Sequence, residues 1–301
     1  MGEVLKASST TQKVVITGAD GFIGKELVKS LVGSGADVFP ITRNSSNNVS
    51  LFDVDSLRIF FNDVKPNTLV HLANRKASTP REGDLISIHE ENIKITENLI
   101  LAVASSKSKA HFIQIGSCAE YGAAEAPYRE LATPVPMSDY GMAKLSITNH
   151  LKSVSDLIDW TVLRPSVVFG PGQAADMFIP SVVHAMKTNS QINLTSCTQN
   201  RDFIYISDIV SGIMSTLLNR DSTSGHVINL ASGTSHILRN VALKIASFFP
   251  PELANNLKFG SIIMAADDVS DYRVDISKAR QLIGWKPLMD LDFGLKKVVN
   301  G

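Results

Sequence analysis

The sequence predicts an α/β fold: a doubly wound parallel sheet with a smaller α/β C-terminal domain. Three observations predict it. Short apolar runs alternate with longer helical patterns from Lys13 onward, a glycine-rich turn stands where the first run meets the first helix, and the alternation loosens after Gly170. Strands separated by helices form βαβ units, whose parallel sheet is covered on both faces.

The elements follow in order. "KVVITG" (13–18) reads as a buried strand, and "FIGKELVKSLVGSG" (22–35) as a helix ending on glycines. "ADVFPITR" (36–43) is a second strand, made irregular or edge-like by Pro40, which cannot donate to a ladder. "NTLVHLA" (67–73) is the third, followed by a long helix from about Asp84 to Ser106. "AHFIQIGS" (110–117) is the fourth and "WTVLRPSVVFG" (160–170) the fifth. "PGQAADMFIP", "SCTQNRDF" and "PPELANNLKFG" are loop-rich inserts, while "FIYISDIVSGIMSTLL" returns to the main pattern. These shifts predict one domain over 13–169 plus 201–230, a second over 170–200 plus 231–301, and a tail at 1–12.

Composition narrows the function. The 301 residues suffice for one large domain or two unequal ones. With 29 basic and 29 acidic residues, no overall charge recruits nucleic acid or a membrane surface, so an anionic ligand must meet local positive groups. Cys118 and Cys197 form no disulfide framework and have no metal-ligand spacing, so no metal site is expected and a reducing compartment is the economical reading. "MGEVLKASSTTQ" has no apolar signal core, Lys6 departs from the myristoylation pattern, and no apolar run nears the ~20 residues of a membrane span. The expectation is a soluble, cytoplasmic protein.

In "TGADGFIG" (17–24), Gly18, Gly21 and Gly24 are spaced three apart, unlike the GxGxxG dinucleotide fingerprint. The physics is shared: a tight turn, close backbone approach to a pyrophosphate, and a helix N-terminus offering N–H groups and a positive dipole end. A plain glycine turn is the bland alternative. The flanking strand and helix favour a Rossmann dinucleotide site with Gly18, Asp20, Gly21, Phe22, Ile23 and Gly24 as cofactor candidates. An NAD site usually carries an acid after the second strand. Here "ITRNSS" places Arg43 and Asn44 there, while Asp37 lies at the strand's beginning. A cation with small polar neighbours suits a 2′-phosphate, so NADP(H) is favoured and NAD(H) stays open. The alternative is that Arg43 points only to solvent.

"SDYGMAK" (138–144) sets Tyr140 and Lys144 one helical turn apart on one face. Most such pairs are a surface aromatic beside a solvated charge. A tyrosine with pKa near ~10 is a poor acid-base catalyst at neutral pH, but a neighbouring ammonium favours its phenolate. The same lysine can hold a nicotinamide ribose. Ser117, at the carboxyl end of the fourth strand, is the hydroxyl that would orient a substrate oxygen.

"TGADGFIG", "LVHLAN", "IGSCAEYG", "DYGMAK", "LRPSVVFGPG", "RDFIYISDIV" and "DISKARQLIGWKP" occur in the order of the extended short-chain dehydrogenase/reductases. The chain resembles that family of NAD(P)-dependent nucleotide-sugar epimerases, dehydratases and reductases from about Lys13 to its end. The resemblance implies a catalytic triad of Ser117, Tyr140 and Lys144. It implies that Asp53 reaches the adenine beside Val54, that Leu72 and Ala73 line the cofactor channel, and that Asn92 stands near the nicotinamide half. Pro165 to Val167 match the stretch that touches the carboxamide. Arg201 and Arg273 match positions that hold a nucleotide diphosphate, with surface ion pairs as the alternative, and Cys118 and Phe178 fall on the substrate side. The long helix before "AHFIQIGS" and the helix of Tyr140 resemble the pair that builds the family's dimer interface, so a homodimer is expected.

Departures from the family narrow the reaction. The 4,6-dehydratases carry Thr-Asp-Glu where this chain has Ser117, Cys118 and Ala119, so water elimination lacks its acid and base. Enzymes resembling fucose synthase carry a cysteine two residues after the hydroxyl and a histidine before "IP". Here those places hold Ala119 and Met177–Phe178. The reading left is NADPH-dependent reduction of a 4-keto (6-deoxy) nucleotide sugar, most like a 4-keto-6-deoxy sugar-nucleotide reductase. The alternatives are an NAD-dependent nucleotide-sugar 4-epimerase and a non-catalytic NADP-binding sensor or structural subunit. Val167 stands where many relatives have a diphosphate-binding Asn, which keeps a non-sugar carbonyl substrate open.

Overall fold

A computed structural model of the chain describes residues 11–42, 49–74, 88–265 and 268–301. Its strands in chain order are β1 (Lys13–Thr17), β2 (Asp37–Ile41), β3 (Thr68–His71), β4 (His111–Ile115), β5 (Trp160–Pro165), β6 (Val167–Phe169), β7 (Ile192–Leu194), β8 (Asn200–Tyr205), β9 (His226–Leu230), β10 (Ser235–Ile237) and β11 (Leu257–Phe259). Its α-helices are α1 (Phe22–Gly33), α2 (Val54–Val64), α3 (Ile88–Ser105), α4 (Asp139–Ser153), α5 (Phe178–Lys187), α6 (Ile206–Leu218), α7 (Arg220–Thr223), α8 (Leu238–Ala246), α9 (Ser277–Ile283) and α10 (Leu291–Asn300).

The chain divides into two compact units: Met1–Ser117, Asp139–Arg164 and Ile213–Ile228 in the first, and Cys118–Ser138, Pro165–Gly212 and Asn229–Gly301 in the second. Residues 118–138, 165–169, 201–212 and 229–230, placed in the first domain on sequence grounds, fall in the second unit. For 118–138 their own bonds explain it. Tyr121 Oη donates to Asn229 Oδ1 at 2.8 Å, and Asn229 Nδ2 donates to the carbonyl of Tyr128 at 3.1 Å.

A six-stranded sheet ordered β2-β1-β3-β4-β5-β9 forms the core of the first unit, its outermost strand ending at Leu230. The pairs β1/β2, β1/β3, β3/β4 and β4/β5 are all parallel, as in a doubly wound Rossmann sheet. Every residue of β3, β4 and β5 is buried, which is why these runs are mostly apolar and why the polar side chains within them, such as His71 and His111, are hydrogen-bonded. β2, which contains Pro40, is an edge strand as its proline predicts. Leu57 and Phe61 of α2, Leu99 and Val103 of α3, and Ile147 and Leu151 of α4 pack with Val15, Leu69, Phe112 and Val162 of the sheet. Each fully buried side chain of this size contributes about 1.5–3 kcal/mol.

One expected strand is two. "WTVLRPSVVFG" splits at Ser166: β5 pairs with β4 only as far as Leu163, whereas β6 pairs with β8 in a separate sheet ordered β10-β8-β6. Pro165 has no N–H to extend the ladder. Ser166 turns away, its amide donating to Leu230 O at 3.0 Å and its hydroxyl to Asp202 Oδ1 at 2.9 Å. The second unit holds this sheet, the β7/β11 pair, and packed helices α5, α8 and α10.

Candidate active site

The glycine turn is built from three different constraints. Gly18 has φ +69°, and a Cβ there would meet Ala73 N at 2.8 Å, so the turn lies backbone to backbone against the exit of β3. Gly21 is the N-cap of α1 in extended conformation, with no side-chain cap, and the first helical turn carries no acid. A Cβ at Gly24 would meet Gly18 O at 2.2 Å, so α1 closes directly onto the turn. A bare cradle at an uncapped helix N-terminus fits the pyrophosphate of a dinucleotide. Phe22 and Ile23 are half-buried on the first turn of α1, and Asp20 is exposed beside it.

Asp53 is the N-cap of α2, its Oδ1 accepting from Asp55 N at 3.0 Å and Ser56 N at 3.3 Å. Its carboxylate therefore has a local role beside the adenine contact expected of it, and Val54 opens the helix. Leu72 and Ala73 are half-buried just beyond β3, and Asn92 is buried on α3. Pro165 closes β5 and Val167 opens β6, either side of the break described above. Arg43 and Asn44 lie outside the described residues.

Tyr140 and Lys144 are both on α4, as their spacing predicts. Gly141, Ala143, Lys144, Ile147, Thr148 and Leu151 are its buried residues. Lys144 Nζ donates to Ile115 O at 2.8 Å and lies 5.9 Å from the centroid of the Tyr140 ring. Tyr140 itself is 47% exposed, so its ring stands open to a ligand. Ser117 follows the end of β4 and is half-buried. All three belong to the first unit.

The substrate-side candidates belong to the second unit, apart from Ser117 and Tyr140. The side chain of Cys118 is fully buried among Tyr121, Tyr128, Ala231, Val274 and Ile276, a packing position for a small residue. Phe178 is half-buried at the start of α5. Arg201 is paired with Asp268, donates to Val269 O at 2.7 Å and lies over the Tyr272 ring at 5.5 Å. Gln199 Nε2 holds the other oxygen of Asp268 at 2.7 Å. Arg273 pairs with Asp271 at 2.8 Å and, with Asp268, Asp271 and Met137, lines a cavity of about 530 Å³. Both arginines thus sit in ion pairs, Arg201's largely buried and Arg273's half exposed.

Sequence reasoning missed a buried polar chain under the cofactor candidates. His71, the last residue of β3, lies 2.6 Å from Thr17 Oγ1 through Nδ1 and 3.3 Å from Thr96 Oγ1 through Nε2. Burial, aided by the Lys144 ammonium, pushes its pKa down to about 3, so the ring is neutral. A histidine closing the fully buried strand "TLVH" was the available signal. Among the described residues no cluster of His, Cys, Asp and Glu can hold a metal, and no helix is long and apolar enough to cross a membrane.

The chain is 25% identical to a GDP-6-deoxy-D-mannose reductase of Pseudomonas aeruginosa, over 96% of this chain and 97% of that protein. It is 26% identical to a UDP-glucose 4-epimerase of Vibrio cholerae, over 96% and 95%. A solved structure, MoeE5 in complex with UDP-glucuronic acid and NAD, superposes with a TM-score of 0.81 at 26% identity, covering 96% of this chain and 98% of that one. The model of the NAD dependent epimerase/dehydratase family matches residues 14–231. Its glycine turn, its Tyr140–Lys144 helix and this match together make the chain a member of the NAD dependent epimerase/dehydratase family.

Proposed function

We propose that this enzyme reduces a 4-keto (6-deoxy) nucleotide sugar to the 4-hydroxy sugar, with NADPH as reductant and Tyr140 as proton donor. The observation that carries the reading is the helix α4, which exposes Tyr140 while anchoring Lys144 by its 2.8 Å bond to Ile115 O. NADPH, when bound, supplies hydride to the keto carbon. The Gly18–Gly24 turn and Ala73 would hold it, with Arg43 toward the 2′-phosphate. Ser117 orients the carbonyl oxygen, and Tyr140 Oη gives its proton to the alkoxide that forms there. Lys144 supports the phenolate that remains, through its charge, and holds the ribose. Arg201 and Arg273 would take the diphosphate.

The chemistry beside Ser117 supports this choice. Cys118 and Ala119 supply neither acid nor base for water elimination, and Cys118 is buried. The Pseudomonas relative is named a reductase, which fits a consumable cofactor. A second reading, an NAD-dependent 4-epimerase, is favoured by the Vibrio relative of equal coverage. The test is incubation of the purified protein with NADPH or NAD⁺ and a panel of dTDP-, CDP-, GDP- and UDP-sugars, 4-keto-6-deoxy forms included. Stoichiometric NADPH consumption with a 4-keto sugar supports the reductase. Interconversion of 4-hydroxy epimers without net cofactor consumption supports the epimerase instead.

The same reading includes a cytoplasmic homodimer. α3 and α4 pack on each other and leave Leu101 and Met142 about half exposed, which suits a helical interface with a second copy. Light scattering at micromolar concentration tests it, a monomer mass counting against it.

A further inference from the structure

The Thr17–His71–Thr96 chain has only one consistent direction. Thr96 Oγ1 donates its single proton to the carbonyl of Asn92 at 2.8 Å, so toward His71 it can only accept. Nε2 of His71 therefore carries the hydrogen. In a neutral ring Nδ1 is then bare, and the Thr17 hydroxyl must donate to it across 2.6 Å. With its proton committed, Thr17 Oγ1 is free to accept, and it accepts from Ala73 N at 3.2 Å. The run is Ala73 N–H to Thr17, Thr17 to His71, His71 to Thr96, and Thr96 to the Asn92 carbonyl. Each donor has one acceptor and the dipoles align, which strengthens the bonds mutually in a buried setting.

The two ends of this run matter. Ala73 is the residue against which Gly18 packs so closely that a Cβ would meet its nitrogen at 2.8 Å. Asn92 is buried on α3 near the other half of the expected cofactor channel. We propose that His71 is a positioning residue for the dinucleotide: through Thr17 it fixes the β3 exit that backs the glycine turn, and through Thr96 it fixes α3 at Asn92. This rests on the reading that Ala73 and Asn92 line the cofactor channel. His71 touches neither cofactor nor substrate in this role.

The test is direct titration of NADPH and NADH by cofactor fluorescence, with a melting temperature for each variant. Thr17→Val is isosteric and removes only the hydroxyl, and His71→Phe removes both ring contacts. His71→Asn keeps an acceptor near the Nδ1 position while leaving a cavity. Losing a buried hydrogen-bonded partner of this kind should weaken cofactor binding about tenfold in Thr17→Val and His71→Phe. His71→Asn should recover most of that affinity in spite of a lowered melting temperature. Thr17→Val carries the test if His71→Phe does not fold. Affinity within twofold of wild type in Thr17→Val overturns the proposal, and so does a loss that simply follows melting temperature across all three. A wild-type protein that binds neither NADPH nor NADH instead overturns the underlying cofactor reading.

Discussion

Lys144 Nζ donates a 2.8 Å hydrogen bond to Ile115 O, so helix α4 is anchored to the strand that leads, two residues later, to Ser117. This separates the two halves of the Tyr140–Lys144 pair by function. Tyr140→Phe keeps the ring and the anchor but removes the proton. Turnover should fall by about 10²–10⁴-fold with NADPH affinity nearly unchanged. Lys144→Ala should damage both turnover and cofactor binding. The measurement is kcat beside the NADPH dissociation constant. A Tyr140→Phe enzyme retaining more than about a tenth of wild-type turnover, with chemistry rate-limiting, removes Tyr140 from the role of acid.

Cofactor preference should follow the charge after β2. Arg43→Asp removes a phosphate partner and adds an acceptor for the ribose 2′-hydroxyl. The ratio of kcat/KM for NADPH over NADH should drop at least tenfold. An unchanged ratio means that Arg43 does not face the 2′-phosphate.

If Arg201 takes the diphosphate as proposed, its pairing with Asp268 sets a cost on that binding, because the ligand must compete with a carboxylate already in place. Partly exposed pairs are worth at most ~1 kcal/mol, so Asp268→Asn should tighten binding of UDP, GDP, CDP or dTDP, whichever binds, by about threefold. Arg201→Ala should weaken the same ligand. Calorimetric titration reads both, and weaker binding by Asp268→Asn would show that the carboxylate assists the ligand.

Acid should destabilise the fold through its buried histidines. Burial pushes His71 down to about 3 and His111 down to about 4, against 6.5 for an exposed imidazole. The unfolded chain then binds more protons than the folded one below pH 6.5, so stability is present above that value and is lost as pH falls toward 4. Between pH 7 and pH 5 each histidine should remove on the order of 1–2 kcal/mol. His111, held by Thr161 Oγ1 at 2.8 Å, is far from the Tyr140 helix in sequence and suits the test. Urea midpoints at the two pH values should differ less in His111→Asn than in wild type. An equal difference would show that His111 does not titrate on unfolding.

The parallel sheet was legible because buried central strands and their covering helices write two distinct periodicities into the chain. Pro40 announced an edge, and the four-residue spacing of Tyr140 and Lys144 announced one helical face. The break at Ser166 was not legible: "WTVLRPSVVFG" reads as one strand, and the change of sheet shows only in the partners, β4 for β5 and β8 for β6, with Ser166 bonded to Leu230 and Asp202 between them. Residues 118–138 were misallotted for a similar reason, since the bonds from Tyr121 and Tyr128 reach about a hundred positions along the chain. His71 escaped notice because a satisfied buried histidine looks, in sequence, like a polar accident within a strand. The carboxylates facing Arg201 and Arg273 were equally hidden, as nothing in their spacing marks them as partners.

Pro40 has one more consequence. Asp37 N donates to Gln12 O and Ile41 O accepts from Gly18 N, so the odd-numbered residues of β2 face β1 and the even-numbered ones face outward. The N–H that Pro40 lacks is therefore missing from the outer rim, where it costs the sheet no bond. A seventh strand arriving at this rim, from another copy or from a misfolded neighbour, would find a donor absent and a rigid ring in its path. On this side, Pro40 thus takes one donor from the rim that another strand would need.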